Sequence, residues 1–367
     1  MHADCSSVLL DLKTFAACDD LWGGPPGPRP TPSSARFWLR LCCSVGQALS
    51  PTNLTRRSSS ISAAQPDSHR ILAAQPYSDR MTKHVVFLFL LGAAAFAQAP
   101  APSFHVDIIG KGKPMILIPG FASSGHTWDS TVARYKDRYE CHVLTLAGFA
   151  GESRIEAPFL ETVRKDLAVY IRKNKMDKPV IVGHSLGGFM ALWLAEQEPD
   201  LVGPLVIVDS LPFLAAIMQP GATVESVKPM AENMRKVFSG PPTEETEKQT
   251  QASIKSMVTK PEDYEMILGW GKKSDRIAEG NAMYDMMTTD LRDDLDKITS
   301  RTIVIGTWIG FKQYGVTRDQ VEKNFRDQYA KLKNYQLVLS DKARHFVMLD
   351  DPEGFFAATD AFLLHGK

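Results

Sequence analysis

Residues 179–188 read PVIVGHSLGG and place Ser185 between two glycines directly after an apolar run. The stretch fits the pattern G-x-S-x-G, in which a strand ends in a very tight turn and a helix begins right after the serine. Flanking glycines let the strand and the helix approach each other without Cβ clashes. The turn lifts the serine hydroxyl above the sheet and brings a helix N-terminus close, where negative charge is favoured. Ser185 is therefore the candidate nucleophile; the alternative is a glycine-rich turn with an incidental serine.

From about residue 100 onward, short apolar runs alternate with segments of helical periodicity. Runs such as KPMILIPG (113–120) are rich in Val, Ile and Leu rather than alternating apolar and polar, which indicates strands buried on both faces. Strands separated by helices predict an α/β fold, with a mostly parallel sheet and helices on both sides. The strand pattern stops after residue 210, and several helices are predicted there. We therefore expect a core at 98–210 and 299–367 and a helical cap at 211–298.

Residues 1–80 differ in composition from the rest of the chain. They include the Pro/Gly/Ser tract GGPPGPRPTPSS (23–34) and four of the five cysteines. No sustained helical or strand period is present, which favours disorder. Because residues 81–97 have the order of an export signal, which acts from an N-terminus, we expect residues 1–80 to be a disordered leader or an over-extended reading frame.

Residues 81–97, MTKHVVFLFLLGAAAFA, contain one early lysine, an apolar run and small residues ending in Ala95-Phe-Ala97. This order is typical of a secretory signal peptide. We expect cleavage after Ala97, a secreted or periplasmic location, and no stable membrane insertion after cleavage. The alternative is an uncleaved membrane anchor, although the apolar core is shorter than the about 20 residues that span a bilayer.

The charge balance and the cysteine content argue against some partners and against a fold rich in disulfides. Lys plus Arg and Asp plus Glu are equal at 42 each. With no basic excess to neutralise phosphates, nucleic acid is not an expected partner. Beyond residue 97 the only cysteine is Cys141, which cannot form an internal disulfide. No cluster of His, Cys and Asp has metal-ligand spacing, so we expect neither a metal nor another cofactor.

Four segments, taken together, carry a family resemblance. They are ILIPGFASSGHTW (116–128), VLTLAGFAGES (143–153), IVGHSLGGFMALWLA (181–195) and ARHFVMLDDPEGFFAATDAFL (343–363). With them the sequence, from about residue 104 to its end, resembles an α/β-hydrolase of the lipase/esterase and C–C hydrolase type. The resemblance implies the α/β-hydrolase fold, with a mostly parallel central sheet, helices on both faces and a helical cap inserted after the sixth strand.

The sequence departs from the family pattern at several positions. Pro119 replaces the usual His before Gly120, and Leu146 and Ala147 stand where an Asp and a small residue are common. Arg344 precedes the histidine of the last segment, where Gly is usual. None of these changes removes a reacting group.

His345 is the candidate base that would activate Ser185. It follows a strand and precedes the final helix, where a loop can bring its imidazole onto the serine hydroxyl. Imidazole titrates near neutral pH, which suits proton transfer from a hydroxyl. His184 lies beside the serine on the sharp turn, so its side chain is expected to project away and to pack.

The acid that would orient His345 has two candidates. In most relatives it lies in the loop after the strand RTIVIGTW (301–308), but here no carboxylate follows until Asp319. The preceding strand ends in PLVIVDS, which places Asp209 at its carboxyl edge, and some α/β-hydrolases take the acid from this earlier strand. Asp209 is therefore the predicted acid, and Asp319 is the alternative.

The resemblance implies an oxyanion hole made of two backbone N–H groups, those of Phe121 and Leu186. We expect a serine hydrolase that cleaves a small carboxylic ester through an acyl-enzyme. The alternatives are a C–C bond hydrolase or lactonase with the same triad, or a non-catalytic binding protein on the same fold. Serine at this position excludes an enzyme with an Asp nucleophile, such as a dehalogenase or epoxide hydrolase.

Overall fold

The computed structural model describes residues 102–219 and 221–364. The predicted leader (1–80) and the predicted signal peptide (81–97) lie outside these residues. At the centre is a sheet of seven strands. The strands are Phe104–Gly110 (β1), Lys113–Ile118 (β2), Tyr139–Leu146 (β3), Val180–His184 (β4), Leu205–Val208 (β5), Thr302–Thr307 (β6) and Tyr335–Ser340 (β7).

The strands are arranged in the order β1-β3-β2-β4-β5-β6-β7. β1 runs antiparallel to β3, and the other neighbouring strands are parallel. His184 pairs with Val208, and Val208 pairs with Ile305, so β4, β5 and β6 all end at one edge of the sheet. This mostly parallel sheet confirms the predicted fold class.

Uninterrupted apolar runs explain why the central strands are buried on both faces. Every residue of β4, β5 and β6 is buried. Successive side chains of a strand point to opposite faces of the sheet, so Ile181 belongs to one apolar core and Val182 to the other. Ile207 and Val208 divide in the same way. Two cores, one on each face, therefore hold the strand ends in fixed positions.

Helices cover both faces of the sheet. They are Asp129–Tyr135 (α1), Phe159–Lys173 (α2), Leu186–Gln197 (α3), Ala215–Met218 (α4), Val224–Ser239 (α5), Glu244–Met257 (α6), Pro261–Lys273 (α7), Arg276–Thr288 (α8), Ile309–Lys312 (α9), Arg318–Gln328 (α10), Val347–Asp350 (α11) and Pro352–Leu364 (α12), with 3-10 helices at Gly125–Trp128 and Arg292–Lys297. Leu167 of α2 and Leu194 of α3 lie in the first core, whereas Phe355 and Phe362 of α12 lie in the second.

Helices α4 to α8 form an insertion between β5 and β6. The resemblance implies an insertion after the sixth strand; among the described residues, five strands precede it. Ala278 of α8 packs in the first core and Trp270 of α7 in the second, so the insertion reaches both faces of the sheet. None of the described helices is long and apolar enough to cross a membrane.

Candidate active site

Ser185 lies on a strained turn between β4 and α3. Its φ and ψ angles are 53° and −118°, a conformation that non-glycine residues rarely adopt and that is typical of functional sites. A Cβ added at Gly183 would lie 2.2 Å from the carbonyl oxygen of Gly187, and one added at Gly187 would lie 2.2 Å from that of Ile118. Both flanking glycines are therefore required for the strand and the helix to meet at this serine.

Asp209 follows β5 in the position that corresponds to Ser185 after β4. The backbone N–H of Ser185 donates to the carbonyl oxygen of Val208 at 2.9 Å, and that of Asp209 donates to Ile305 at 2.8 Å. Asp209 also has a positive φ of 43°. The parallel register thus brings the serine and the carboxylate to the same edge of the sheet.

His345 meets Asp209 through a short hydrogen bond. The Nδ1 atom of His345 lies 2.6 Å from Oδ2 of Asp209, and the Oδ1 atom of the same carboxylate accepts the backbone N–H of Thr307 at 3.1 Å. A carboxylate can only accept hydrogen bonds, so Nδ1 carries the proton in this pair. The other ring nitrogen, Nε2, is left as an acceptor, which is the tautomer that a base for a serine hydroxyl needs.

Asp319, the alternative acid, is exposed to solvent in the first turn of α10. The structure therefore brings Asp209, and not Asp319, into contact with His345. The catalytic roles of Ser185, His345 and Asp209 remain predictions that their geometry allows.

The loop that carries His345 is held by side chains from the strands beneath it. The hydroxyl of Thr307 donates to the carbonyl oxygen of Ala343. Ser340 accepts the N–H of Ala343 at 3.0 Å and donates to Asp351 at 2.8 Å. Sequence reasoning missed Thr307, because nothing in the local pattern shows that the end of β6 contacts a loop far along the chain.

His184 is a packed residue that supports the loop rather than a second base. Its ring is fully buried, and its centroid lies 4.6 Å from that of His345. Burial, and then the neighbouring His345, hold the pKa of His184 well below its ordinary value, so the ring is neutral. Its Nε2 atom lies 3.1 Å from the carbonyl oxygen of His345 and donates a hydrogen bond to it. This contact fits the packing role predicted for His184.

The two predicted oxyanion donors lie beside the nucleophile. Leu186 is the first residue of α3, so its N–H has no acceptor within the helix. A Cβ added at Gly120 would lie 3.3 Å from Cβ of Ser185, which places the loop leading into Phe121 against the serine. Ser123 stabilises this loop by donating its hydroxyl to the carbonyl oxygen of Phe121 at 3.1 Å. The positions suit the oxyanion role, which stays a prediction.

Aromatic rings connect this loop to the insertion. The ring of Phe121 lies 5.5 Å from that of Phe149 and 5.5 Å from that of Phe238 of α5. Phe238 was not identified from the sequence, where nothing distinguishes it from other apolar residues of an amphipathic helix. The side of the site next to Phe121 is therefore apolar and aromatic, which suits a hydrocarbon part of a ligand.

The described residues contain no group of three or more His, Cys, Asp or Glu side chains arranged to hold a metal ion.

Comparison with known proteins identifies the family. The model of the α/β hydrolase family matches residues 115–358, and the chain belongs to this family. Among similar proteins, a pimeloyl-[acyl-carrier protein] methyl ester esterase of Legionella pneumophila (strain Corby) is 24% identical over 262 residues, which cover 71% of this chain and 99% of the relative. The protein of the same name from Nitrosomonas europaea is 24% identical over 270 residues, with coverage of 71% and 99%.

Solved structures show the same fold. An enol-lactonase from Burkholderia xenovorans LB400 matches with a TM-score of 0.58 at 17% identity, covering 71% of this chain and 96% of that one. An esterase from Exiguobacterium antarcticum matches with a TM-score of 0.57 at 17% identity, covering 71% and 94%. At these identities the likeness establishes the fold alone.

Proposed function

We propose that this protein is a serine hydrolase that cleaves a small carboxylic ester through an acyl-enzyme. The observation that carries the proposal is the 2.6 Å contact between His345 and Asp209 at the sheet edge where Ser185 occupies its strained turn. Membership of the α/β hydrolase family and similarity to proteins named as methyl ester esterases support a hydrolase of the esterase kind.

In the proposed reaction, Oγ of Ser185 attacks the ester carbonyl carbon while its proton passes to Nε2 of His345. Asp209 holds the Nδ1–H of His345 and stabilises the imidazolium. The tetrahedral intermediate collapses, the bond to the alcohol oxygen breaks, and His345 returns the proton to the leaving alcohol. A water molecule then attacks the acyl-enzyme with His345 again as base, which releases the carboxylic acid and restores Ser185.

The negative charge that develops on the carbonyl oxygen would be stabilised by the N–H groups of Phe121 and Leu186. Each such donor contributes about 3 kcal/mol to lowering the barrier. The N-terminus of α3, which begins at Leu186, adds the favourable end of a helix dipole.

The aromatic residues near the site support an acyl group that is at least partly apolar. Phe121, Phe149 and Phe238 form one connected cluster, and Phe238 comes from the insertion. The named relatives act on a methyl ester of a pimeloyl group carried by a protein. For this chain we propose a small ester with an apolar acyl chain as the substrate.

We also propose that the enzyme works outside the cytoplasm, in the periplasm or the medium. The order of a short basic start, an apolar run and Ala95-Phe-Ala97 supports export. N-terminal sequencing of protein recovered from the exported fraction is expected to begin at Gln98. Recovery of uncleaved protein from the cytoplasm would contradict the proposal.

The esterase activity is tested with p-nitrophenyl butyrate and the full 367-residue chain. We expect turnover by the wild type, a butyryl adduct on Ser185 by mass spectrometry after rapid acid quenching, and loss of both in Ser185→Ala. Ser130→Ala changes an exposed serine of α1 and serves as the control. Absence of turnover in folded wild-type protein would contradict the proposal and direct the search to a C–C hydrolase or a binding protein.

A further inference from the structure

Arg344 stands immediately before His345, where the family pattern usually has Gly. In the structure its Nη1 atom donates to the carbonyl oxygens of Lys255 at 2.9 Å and Val258 at 2.7 Å. These carbonyls lie at the C-terminal end of α6, where helix carbonyls lack partners within the helix and where positive charge is favoured. Arg344 therefore caps a helix of the insertion from the loop that carries the candidate base.

Asp350 strengthens the same connection from the other end of the loop. Its Oδ2 atom accepts the backbone N–H of Arg344 at 2.9 Å. Its Oδ1 atom accepts both the N–H and the hydroxyl of Thr259, at 2.9 and 2.7 Å. One carboxylate thus joins the residue before His345 to the turn between α6 and α7.

Two further bonds complete the attachment. The N–H of Phe346 donates to the carbonyl oxygen of Met257 at 3.3 Å, and Nζ of Lys260 donates to that of Leu349 at 3.0 Å. Apart from the bond between Arg344 and Asp350, which lies within the loop, every one of these bonds joins residues 344–350 to residues 255–260. The candidate base therefore lies on a loop that is bonded on both sides of it to the α6–α7 turn.

Helix α6 is packed less deeply against the molecule than α7. No residue of α6 is buried, whereas Val258 in the turn and Trp270 in α7 lie in the same apolar core as Phe346. The pair is therefore held by the packing of α7, by the partly buried Ile254 and Met257 of α6, and by the bonds to the His345 loop.

We infer that Arg344 is a positioning residue. Through it, the position of His345 depends on the position of helices α6 and α7 against the rest of the protein. The inference rests on the proposed function and adds a residue to it. Both carbonyl contacts of its guanidinium face α6, so Arg344 acts through the loop and not on the substrate. Misplacement of a reacting group by about 1 Å costs on the order of 100-fold in rate, so a small shift of this loop has a measurable effect.

The test compares Arg344→Met, which keeps an unbranched stem but removes the guanidinium donors, with Arg344→Lys, which keeps a donor. We expect kcat for p-nitrophenyl butyrate to fall about 10- to 100-fold in Arg344→Met with little change in KM, and to recover most of its value in Arg344→Lys. Arg301→Met is the matched control. Arg301 donates to the carbonyl oxygen of Phe362 near the end of α12, at the opposite edge of the sheet from His345, so kcat is expected to stay at the wild-type value.

A second readout requires no substrate, so it separates this inference from the proposed function. The proton on Nδ1 of His345, held by Asp209, is expected to give a low-field NMR signal in the wild type and in Arg301→Met. Loss of that signal through faster exchange is expected in Arg344→Met.

Should Arg344→Met fail to fold, Thr259→Val provides a second test, because it removes one exposed donor to Asp350. This variant is expected to lower kcat and to weaken the NMR signal. An unchanged signal and an unchanged kcat in Arg344→Met, or equal losses in Arg301→Met, would overturn the inference.

Discussion

Asp209 uses both of its carboxylate oxygens to connect the ends of two structural elements. Oδ2 lies 2.6 Å from Nδ1 of His345, and Oδ1 accepts the N–H of Thr307 at the end of β6. The candidate acid therefore lies at the end of β5, while the next strand supplies a backbone donor that helps to fix its orientation. A carboxylate held in this way presents one oxygen, Oδ2, to the imidazole.

Asp209→Asn is expected to lower kcat about 10⁴-fold while the fold is retained. The amide oxygen of the new side chain can still accept the N–H of Thr307, so its NH₂ group faces Nδ1 of His345. Nδ1 must then accept, the proton moves to Nε2, and His345 can no longer take the proton of Ser185. The measurement is p-nitrophenyl butyrate turnover, with circular dichroism to verify the fold.

Asp319→Asn is the matched control for this prediction. Asp319 is exposed in the first turn of α10, and its substitution is expected to leave kcat within about twofold of the wild type. A large loss of activity in Asp319→Asn together with an active Asp209→Asn would move the acid to Asp319.

Thr307→Val is expected to reduce kcat about tenfold or more, because the hydroxyl of Thr307 donates to the carbonyl oxygen of Ala343 in the loop of His345. The backbone N–H that binds Asp209 is unchanged. Leaving a buried carbonyl without its donor also lowers the free energy of unfolding by about 1–3 kcal/mol. Steady-state kinetics and urea unfolding measure the two effects separately.

Thr302→Val provides the comparison that isolates positioning from stability. Thr302 begins the same strand, and its hydroxyl donates to the carbonyl oxygen of Ser300 at 3.1 Å. We expect a similar loss of stability with normal kcat. If the two variants lost activity equally, Thr307 would be only a structural residue.

The features that the sequence predicted are those that depend on near neighbours in the chain. The pattern around Ser185 predicts its turn because the two glycines that the turn requires, Gly183 and Gly187, are each two residues away from it. Apolar runs likewise identified the central strands, since burial on both faces requires them. Asp209 was predicted as the acid because the expected loop lacked a carboxylate, and the structure brings it to His345.

What the sequence did not predict depends on contacts between distant segments. Arg344 stood out only as a departure from the family pattern, since its acceptors lie on a helix about 90 residues earlier. The hydroxyl bond of Thr307 and the ring contact of Phe238 have the same origin. Such contacts follow from packing between segments that are far apart in the chain, which no local periodicity encodes.

Gly187→Ala is expected to lower the free energy of unfolding by about 1–3 kcal/mol, even though Ala favours helices more than Gly does. The added Cβ would lie 2.2 Å from the carbonyl oxygen of Ile118 and 2.6 Å from that of Pro119, and backbone atoms cannot move aside easily. Gly269→Ala in α7 is the control, because no atom lies within 4 Å of its added Cβ. This variant is expected to gain up to about 1 kcal/mol. Thermal and urea unfolding test both changes, and a stabilised Gly187→Ala would contradict the tight contact.

Glu279 of α8 is expected to make the stability of the protein depend on pH. Its side chain is buried, with 8% of the residue exposed, and burial raises its pKa from the ordinary 4.5 to about 7. The positive charge of Arg276, one turn earlier, lowers this pKa, but its guanidinium donates to the carbonyl oxygens of Gly240 and Val237. The negative charge of Asp275 raises the pKa of Glu279 further. The neutral carboxyl is therefore the form that the fold prefers.

The direction of the pH effect follows from the raised pKa. Between pH 4.5 and 7 the folded protein holds a proton on Glu279 that the unfolded chain has lost, so the contribution of this residue is fully present below pH 4.5 and is lost as the pH rises through 7. Glu279→Gln is neutral at every pH. Its advantage in free energy of unfolding over the wild type should therefore grow from near zero at acid pH to on the order of 3 kcal/mol above pH 7. Urea unfolding at several pH values measures this difference, with Glu265→Gln on the exposed face of α7 as the control. A difference that stays constant with pH would show that the pKa of Glu279 is the same in the folded and the unfolded protein.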